Sequence, residues 1–409
     1  MKYYKIIGIP LFLFISMNGF SQSLSDYLQI AAEQNPELQA KYVAFEAAMQ
    51  QVPQVGALPE PMLSSGVFIN RMVPLERARF SLTQVFPWFG TLEAKKDAAA
   101  ARAQMQFMNW QDSRNMLFFE IRKAYYELYN IEKTIHIINA KLPYYDTYEQ
   151  LAQTQFQAGK GPMSDVVRVQ IERNELLTEL QLLQDRRRPL QIMFNRLLYR
   201  APDEPIVIPD TLALPVVDAF MGTEQLLANP KIAIFEAERR AAEWQQKVVE
   251  KERRPMLEAG VQYMLMPRPS PEAVQVIHDG VDMIMPMVGL TLPIWRKKYD
   301  AMQQEMILMQ RSAEHMKQSV ANTLESQWAQ AQYELHSARR RLELFDQQSA
   351  ATRTMLELMR TAYTHSGSDF AGVLRTEQML LEYRLMAEAA RRDYLMAHAQ
   401  IEFLLAKPL

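Results

Sequence analysis

Methionines are the residues of this sequence whose type and spacing could do chemistry. Residues 256–265 and 283–292 alternate between two sets, and one set mixes methionines with Glu258, Gln262 and Thr291. Alternate residues of a β-strand share a face, and thioether sulfur is a soft ligand suited to Cu(I) or Ag(I). Soft-metal binding is therefore one hypothesis and simple space filling is the preferred one, so no metal ligand is assigned among Met264, Met266, Met283, Met285 and Met287.

Histidine and cysteine, the residues most often used for metal binding and catalysis, form no motif. The six His are scattered without an H-E-x-x-H pattern, and there is no Cys. The lack of Cys excludes disulfides, thiolate metal sites and lipid attachment to an N-terminal Cys. No Gly-rich phosphate loop follows a strand and no nucleophile elbow is present. The sequence predicts neither an enzyme nor a bound cofactor.

The charge pattern argues against nucleic acid as a partner. The formal net charge is -2, and basic residues are interleaved with acidic ones along predicted helices. A nucleic-acid-binding surface needs basic residues pooled on one face. We expect the charges to form solvated helix faces instead.

The N-terminus has the three parts of a secretory signal. Lys2 and Lys5 precede the apolar run 6–17, and Gly19 and Ser21 fit a cleavage site after residue 21. An N-terminal membrane anchor is the alternative, but the run is shorter than the roughly 20 residues of a spanning helix. We predict a cleaved signal peptide at residues 1–21.

Two long helices must position all other elements. Within Thr91–Gln157 the apolar residues recur three and four apart, as in a coiled coil, at Leu117, Ile121, Ala124, Leu128, Ile131, Ile135, Ile138 and Leu142. At about 1.5 Å per residue this helix is roughly 100 Å long, with Pro143 as an expected kink. The same spacing returns within residues 298–364. Such lengths exceed what a compact domain can enclose.

One structural unit occurs twice in the chain. Asn35-Pro36 recurs as Asn229-Pro230 at a shift of 194 residues (229 minus 35), and Gly66-Val67 recurs at the same shift. The first helical pattern covers residues 24–51, is expected to break at Asn35-Pro36, and is ended by Pro53, Pro59 and Pro61. The first repeat covers 22–200, with a β-hairpin at about 61–86, a long helix at 91–157 and a return helix at 164–198. A linker, 201–221, leads to the second repeat, 222–409, with a hairpin at about 256–293, a long helix at 298–364 and a return helix at 370–406.

The predicted hairpins indicate a membrane. In residues 257–265 one alternating set is apolar and the other is mixed. A soluble sandwich has the same pattern, but four strands flanked by such long helices have no second sheet to pack on. In lipid, strands must belong to a closed barrel without free edges. Several chains must therefore share the barrel, and three chains with four strands each give twelve strands.

Three motifs stand out: Asn-Pro-Glu-Leu at 35–38, Gln-Val-Phe-Pro-Trp-Phe-Gly at 84–90, and Phe156-x-x-Gly159 followed by Asp165-Val166. Together they resemble the motifs of one known family, the TolC-like outer-membrane efflux proteins of Gram-negative bacteria. The duplicated layout covers residues 24–406. The resemblance implies a mainly α fold with a small β part. It also implies a homotrimer whose α-helical barrel crosses the periplasm and continues into a shared 12-stranded transmembrane β-barrel.

The resemblance also implies a function and partners. The chain would be the outer-membrane channel of a tripartite efflux or secretion system, a passive duct that extends into the periplasm. Its partners would be a periplasmic adaptor, an inner-membrane efflux transporter and outer-membrane lipid. The helix turns at Gly159 and Gly367 would form the periplasmic aperture. Relatives often ring this aperture with carboxylates, where this chain has Gly372 and Arg375. The implied aperture and adaptor-contact residues are Phe156, Gly159, Asp165, Tyr363, Gly367, Asp369 and Arg375.

Two other functions remain as alternatives. The first is a duct for heavy metals of the Cu(I) or Ag(I) type, suggested by the methionines. The second is a periplasmic coiled-coil adaptor or scaffold that never enters a membrane. Such a scaffold explains the heptads, but it leaves the duplication and the two alternating hairpins without a role.

Overall fold

The computed structural model describes residues 23–67, 77–215, 223–266, 281–366 and 369–406. The predicted signal peptide, Gly367 and the end of the predicted linker lie outside these ranges. The described part of the first half contains α1 (Leu24–Gln34), α2 (Pro36–Val55), β1 (Met62–Val67), β2 (Ala78–Phe86), α3 (Thr91–Gln157) and α4 (Met163–Leu197). The described part of the second half contains a short 3₁₀ helix (Thr223–Ala228), α5 (Pro230–Glu252), β3 (Met256–Leu265), β4 (Met283–Thr291), α6 (Arg296–Ser366) and α7 (Phe370–Leu404).

The repeated Asn-Pro dipeptide has the same structural role in both halves. Asn35 caps α2 by accepting from the Leu38 amide at 3.1 Å, and its Nδ2 donates to the Leu197 carbonyl at 2.9 Å. Asn229 caps α5, and its Nδ2 donates to the Leu404 carbonyl at 2.8 Å. Proline is favourable at the first helical position because its missing N–H has no partner there. Each dipeptide therefore starts one helix and ties it to the end of a return helix.

Proline residues inside the helices do not end them. The predicted break at Asn35-Pro36 is confirmed, whereas the predicted end of the helix before Pro53 is wrong, because α2 continues through Pro53 to Val55. Proline has no N–H to donate to the carbonyl four residues earlier, so one hydrogen bond is lost, and only two helical residues follow Pro53. Pro143 lies inside α3 and Pro189 inside α4, and both helices are continuous.

The long helices bury three main apolar clusters in the described chain. One cluster joins α1, α3 and α4 and contains Tyr27, whose ring meets Phe194 edge to face with centroids 5.1 Å apart. A second cluster joins α5, α6 and α7 around Trp328. The third lies at the far end, where both helical hairpins turn, and contains Tyr145, Tyr363 and residues of α4 and α7. The third cluster holds the turns of the two halves together.

The four strands form one antiparallel sheet in the order β1-β2-β3-β4. The sequence predicted two hairpins, and the structure joins them because β2 pairs with β3, with Leu82 opposite Val261. The sheet is thus continuous across the two halves. In the described chain its edges are β1 and β4.

Candidate functional site

The first tip turn joins α3 to α4. Gly159 has φ of +70°, a left-handed conformation that glycine adopts without strain. The Lys160 amide donates to the Gln155 carbonyl at 2.8 Å, and the Gly159 amide donates to the Phe156 carbonyl at 3.0 Å. These bonds satisfy carbonyls at the end of α3, as expected for a helix that ends on glycine. The turn is therefore short and well hydrogen-bonded.

The second tip turn joins α6 to α7. Asp369 has φ of +65° and caps α7, with its Oδ1 accepting from the Gly372 amide at 2.9 Å. A side chain at Gly372 would collide with the Asp369 carboxylate and would lie 2.6 Å from Cε of Met359. Glycine at this position therefore keeps the cap intact. The partner turn residue Gly367 lies outside the described residues.

The structure brings some predicted tip residues together and leaves others apart. Tyr363 is buried against Phe370, with ring centroids 5.3 Å apart. Burial and the nearby Asp165 carboxylate raise the pKa of Tyr363. Tyr363 of the second half therefore lies within the electrostatic influence of Asp165 of the first half. Phe156 and Arg375 are exposed and do not join this cluster.

A buried polar cluster, absent from the sequence predictions, lies beside the tip. Glu377 of α7 is 0% exposed and pairs with buried Lys141 of α3. Arg360 of α6 donates to the second carboxylate oxygen of Glu377 at 2.9 Å. The Tyr148 hydroxyl donates to the same oxygen at 3.3 Å and accepts from Nε of Arg360 at 2.8 Å. This Glu377 cluster, defined as Lys141, Tyr148, Arg360 and Glu377, ties α3 of the first half to α6 and α7 of the second.

The buried carboxylate of Glu377 is compensated by two cations and a phenol. Burial and the Glu377 carboxylate raise the pKa of Tyr148 to about 12, so the phenol keeps its proton and remains a donor. The ring of Tyr144 covers the cations, with centroids 5.2 Å from the Lys141 ammonium and 5.5 Å from the Arg360 guanidinium. Removing one partner of such a buried group leaves an uncompensated charge, which costs about 3–5 kcal/mol.

Periodicity could have revealed the Glu377 cluster. The predicted seam placed Leu142 in the core, but it is only half-buried, and the buried stripe of α3 passes through Lys141. That stripe keeps three-and-four spacing at Ile138, Lys141, Tyr145, Tyr148 and Ala152. On α7 the same spacing runs from Phe370 through Leu374 to Glu377. The sequence feature that could have revealed the cluster is an ionisable residue at a core position of each helix, namely Lys141 in α3 and Glu377 in α7.

One face of the sheet is apolar and exposed. Its large side chains are 37–85% exposed and come from all four strands, namely Leu63, Val67, Phe80, Leu82, Phe86, Leu257, Val261, Tyr263, Ile284, Val288 and Leu290. The pairing register places them in shared rows, for example Leu63 opposite Leu82 and Leu82 opposite Val261. An exposed apolar patch of this size marks a surface that contacts protein or lipid.

The opposite face of the sheet carries the predicted methionines with polar residues. Met264 lies directly opposite Met283, and Met285 lies opposite Gln262. Met287 follows on the same face, and Met266 comes just after β3. Hydrogen bonds pin the strand ends, because Asp282 accepts from the Tyr263 hydroxyl at 2.5 Å and from the Met266 amide at 3.2 Å. The structure therefore brings the methionine set onto one hairpin surface.

Other sites and spans were searched over the described residues. Among them, no group of three or more His, Asp or Glu side chains could hold a metal ion. No described helix is both long enough and apolar enough to cross a bilayer.

Comparisons with known proteins agree with this geometry. Residues 27–197 match the family model described as Outer membrane efflux protein. The outer-membrane channel OprN is 16% identical with a TM-score of 0.78, covering 94% of this chain and 89% of that chain. The outer membrane protein VceC of Vibrio cholerae is 13% identical with a TM-score of 0.75, covering 94% and 96%. The Neisseria gonorrhoeae MtrE outer membrane channel in its open state is 17% identical with a TM-score of 0.75, covering 94% and 88%. No curated protein sequence matches the chain.

The fold is therefore that of outer-membrane channels over nearly the whole chain. Together with the family-model match over residues 27–197, this confirms the predicted resemblance to the TolC-like outer-membrane efflux proteins. The proteins that the chain resembles are channels.

Proposed function

We propose that three copies of this chain form the passive outer-membrane duct of a tripartite efflux or secretion system. The observation that carries this proposal is the exposed apolar face of a four-stranded sheet with two free edges. A bilayer tolerates strands only in a closed barrel, because each unpaired backbone group in lipid costs several kcal/mol. One chain cannot close four strands, so sister chains must complete the barrel.

The strand directions support closure by identical copies. Each neighbouring pair in the sheet is antiparallel, so β1 and β4 run in opposite directions. When β4 of one copy pairs with β1 of the next, the new pair is antiparallel as well. Three copies then give twelve strands with alternating directions, an even number typical of bacterial barrels. The apolar face would meet lipid, and the face with Gln262 and the methionines would line the lumen.

The helical part would form the periplasmic conduit and its aperture. α3 has 67 residues and α6 has 71, which at about 1.5 Å per residue gives roughly 100 Å. The tip turns lie at the end of these helices distant from the sheet. We infer that they form the aperture and contact an adaptor, through Phe156, Gly159, Asp165, Tyr363, Asp369, Arg375 and the undescribed Gly367.

Opening the aperture would require the two helical hairpins of one chain to separate at the tip. The Glu377 cluster resists this movement because its hydrogen bonds connect α3 with α6 and α7. Adaptor binding would supply the free energy that shifts the equilibrium, since a ligand shifts conformations only by its differential affinity. Specificity for the exported substance would reside mainly in the inner-membrane transporter.

The assembly and conductance of the purified protein test the proposal. We expect detergent-extracted protein to elute as a trimer by light scattering and to form ion-conducting pores in planar lipid bilayers. Monomeric protein that stays in solution without detergent would support a periplasmic coiled-coil scaffold and overturn the duct. Trimers that insert into lipid but never conduct, with or without a tip-opening substitution, would also overturn it.

A further inference from the structure

Two of the three methionines at the end of the proposed lumen face are exposed, and packing within the chain does not explain them. Met264 is 7% exposed, whereas Met283 is 42% and Met285 is 41% exposed. Exposed apolar side chains on the other face are accounted for by lipid. On the face that carries Gln262 and Glu258, exposed methionines have no such role. Their sulfur atoms, and not their apolar bulk, are the feature that distinguishes them from leucine.

The register of the hairpin brings the sulfur atoms within reach of one ion. Met264 and Met283 are direct cross-strand partners, whose Cβ atoms lie about 4.5–5.5 Å apart in such pairs. Met285 is two residues further along β4 on the same face, at the diagonal distance of about 7–8 Å from Met264. Methionine has three flexible side-chain bonds. The three thioethers can therefore converge on a common point above the sheet.

The three thioether sulfur atoms determine which kind of ion the site would bind. Neutral thioethers suit the soft cations Cu(I) and Ag(I), whereas hard cations prefer carboxylate and carbonyl oxygens. On the same hairpin, the Asp282 carboxylate already accepts hydrogen bonds from Tyr263 and Met266. We propose that Met264, Met283 and Met285 form a binding site for Cu(I) or Ag(I) on the inner face of the β3–β4 hairpin. This inference deepens the proposed function, on which the lumen position rests.

Two further methionines lie beside the proposed site, and Arg79 of β2 is the cross-strand partner of Met264 on its other side. Met287, two residues beyond Met285, and Met266 at the opposite end extend the thioether surface along the pore direction.

Silver binding to the detergent-solubilised protein tests the site directly. We would titrate the protein with silver nitrate in chloride-free buffer by calorimetry and compare it with M264L/M283L/M285L. Leucine conserves volume and apolarity, so barrel assembly should be preserved. The matched control is M309L/M316L/M355L, which removes three exposed methionines from α6. We expect the hairpin variant to lose at least tenfold in affinity and the control to retain the affinity of the unmodified protein.

The possible outcomes separate the site from the duct. Equal silver binding by the unmodified protein and the hairpin variant would overturn the site, as would equal losses in the hairpin variant and the control. Bilayer conductance of the hairpin variant is measured in parallel. Normal conductance with lost silver binding supports both proposals. Lost silver binding in a protein that never conducts supports the site and refutes the duct. X-ray absorption showing only oxygen or nitrogen around bound silver would refute thioether ligation.

Discussion

The Glu377 cluster leads to a quantitative prediction about the tip. In E377Q the buried Lys141 loses its counter-charge, while the amide can still accept one hydrogen bond from Arg360. Removing one member of a buried ion pair costs about 3–5 kcal/mol, and we take the lower end because Arg360 is partly exposed and can turn to water. A local loss of about 3 kcal/mol raises the population of the opened tip by roughly 150-fold.

Hydrogen exchange measures this opening without requiring reversible unfolding of a membrane protein. We expect amide exchange in residues 141–152 and 370–381 to accelerate roughly 100-fold in E377Q. Exchange in 117–128, which belongs to the first core, should stay unchanged. Replacing both charges, as in K141M/E377L, should restore most of the protection, because apolar residues of similar volume are often neutral replacements for a buried pair. A change of less than threefold at the tip in E377Q, or equal acceleration in the first core, would refute the reasoning.

Three further sets of substitutions test other parts of the structure. L82R places a charge at the centre of the apolar face, which costs about 2–4 kcal/mol at mid-bilayer, so this variant should fail to assemble in the membrane. The control S81R carries its charge on the opposite face and should assemble. Heat-modifiable migration in gel electrophoresis measures assembly of both variants. N35A and N229A each remove a helix cap and a hydrogen bond to the end of a return helix, so each should destabilise its half by about 1–3 kcal/mol in thermal denaturation. A variant as stable as the unmodified protein would show that its asparagine does not stabilise the fold in this way. Hydrogen bonds and charge from Arg239 and Lys317 lower the pKa of Glu236 to about 2. Because the folded-state pKa is lowered, the carboxylate stabilises the fold above about pH 4.5, and this stabilisation is lost as the pH falls toward 2. The melting temperature of E236Q should therefore fall less between pH 5 and pH 3 than that of the unmodified protein.

Local periodicity identified the helices and strands of this protein. The prediction of α3 at residues 91–157 has the bounds that the structure gives, because a 67-residue amphipathic pattern leaves little ambiguity about the element. The alternating residues of β3 also have the opposite exposures expected of its two faces. In both cases the information lies within the segment itself.

Features that depend on distant residues were not predicted. Pairing of β2 with β3 joins residues about 180 positions apart, and nothing in either strand specifies the other. The Glu377 cluster was missed because apolar periodicity treats Lys141 and Glu377 as interruptions, although each occupies a core position. Pro53 was assigned a helix-ending role that its place in the final turn makes unnecessary.

The glycine at position 372 provides a last prediction, about the start of α7. A side chain at this position would displace the Asp369 cap and press on Met359. G372D should therefore lose the N-cap of α7, at a cost of about 1 kcal/mol, and speed amide exchange in residues 370–373 by about fivefold. R375D adds a negative charge one turn later on an exposed position and leaves the cap in place. If both variants exchange at the same rate, the carboxylate of Asp369 is not what fixes the start of α7. If only G372D exchanges faster, the absence of a side chain at position 372 is what keeps the Asp369 cap on the first turn of α7.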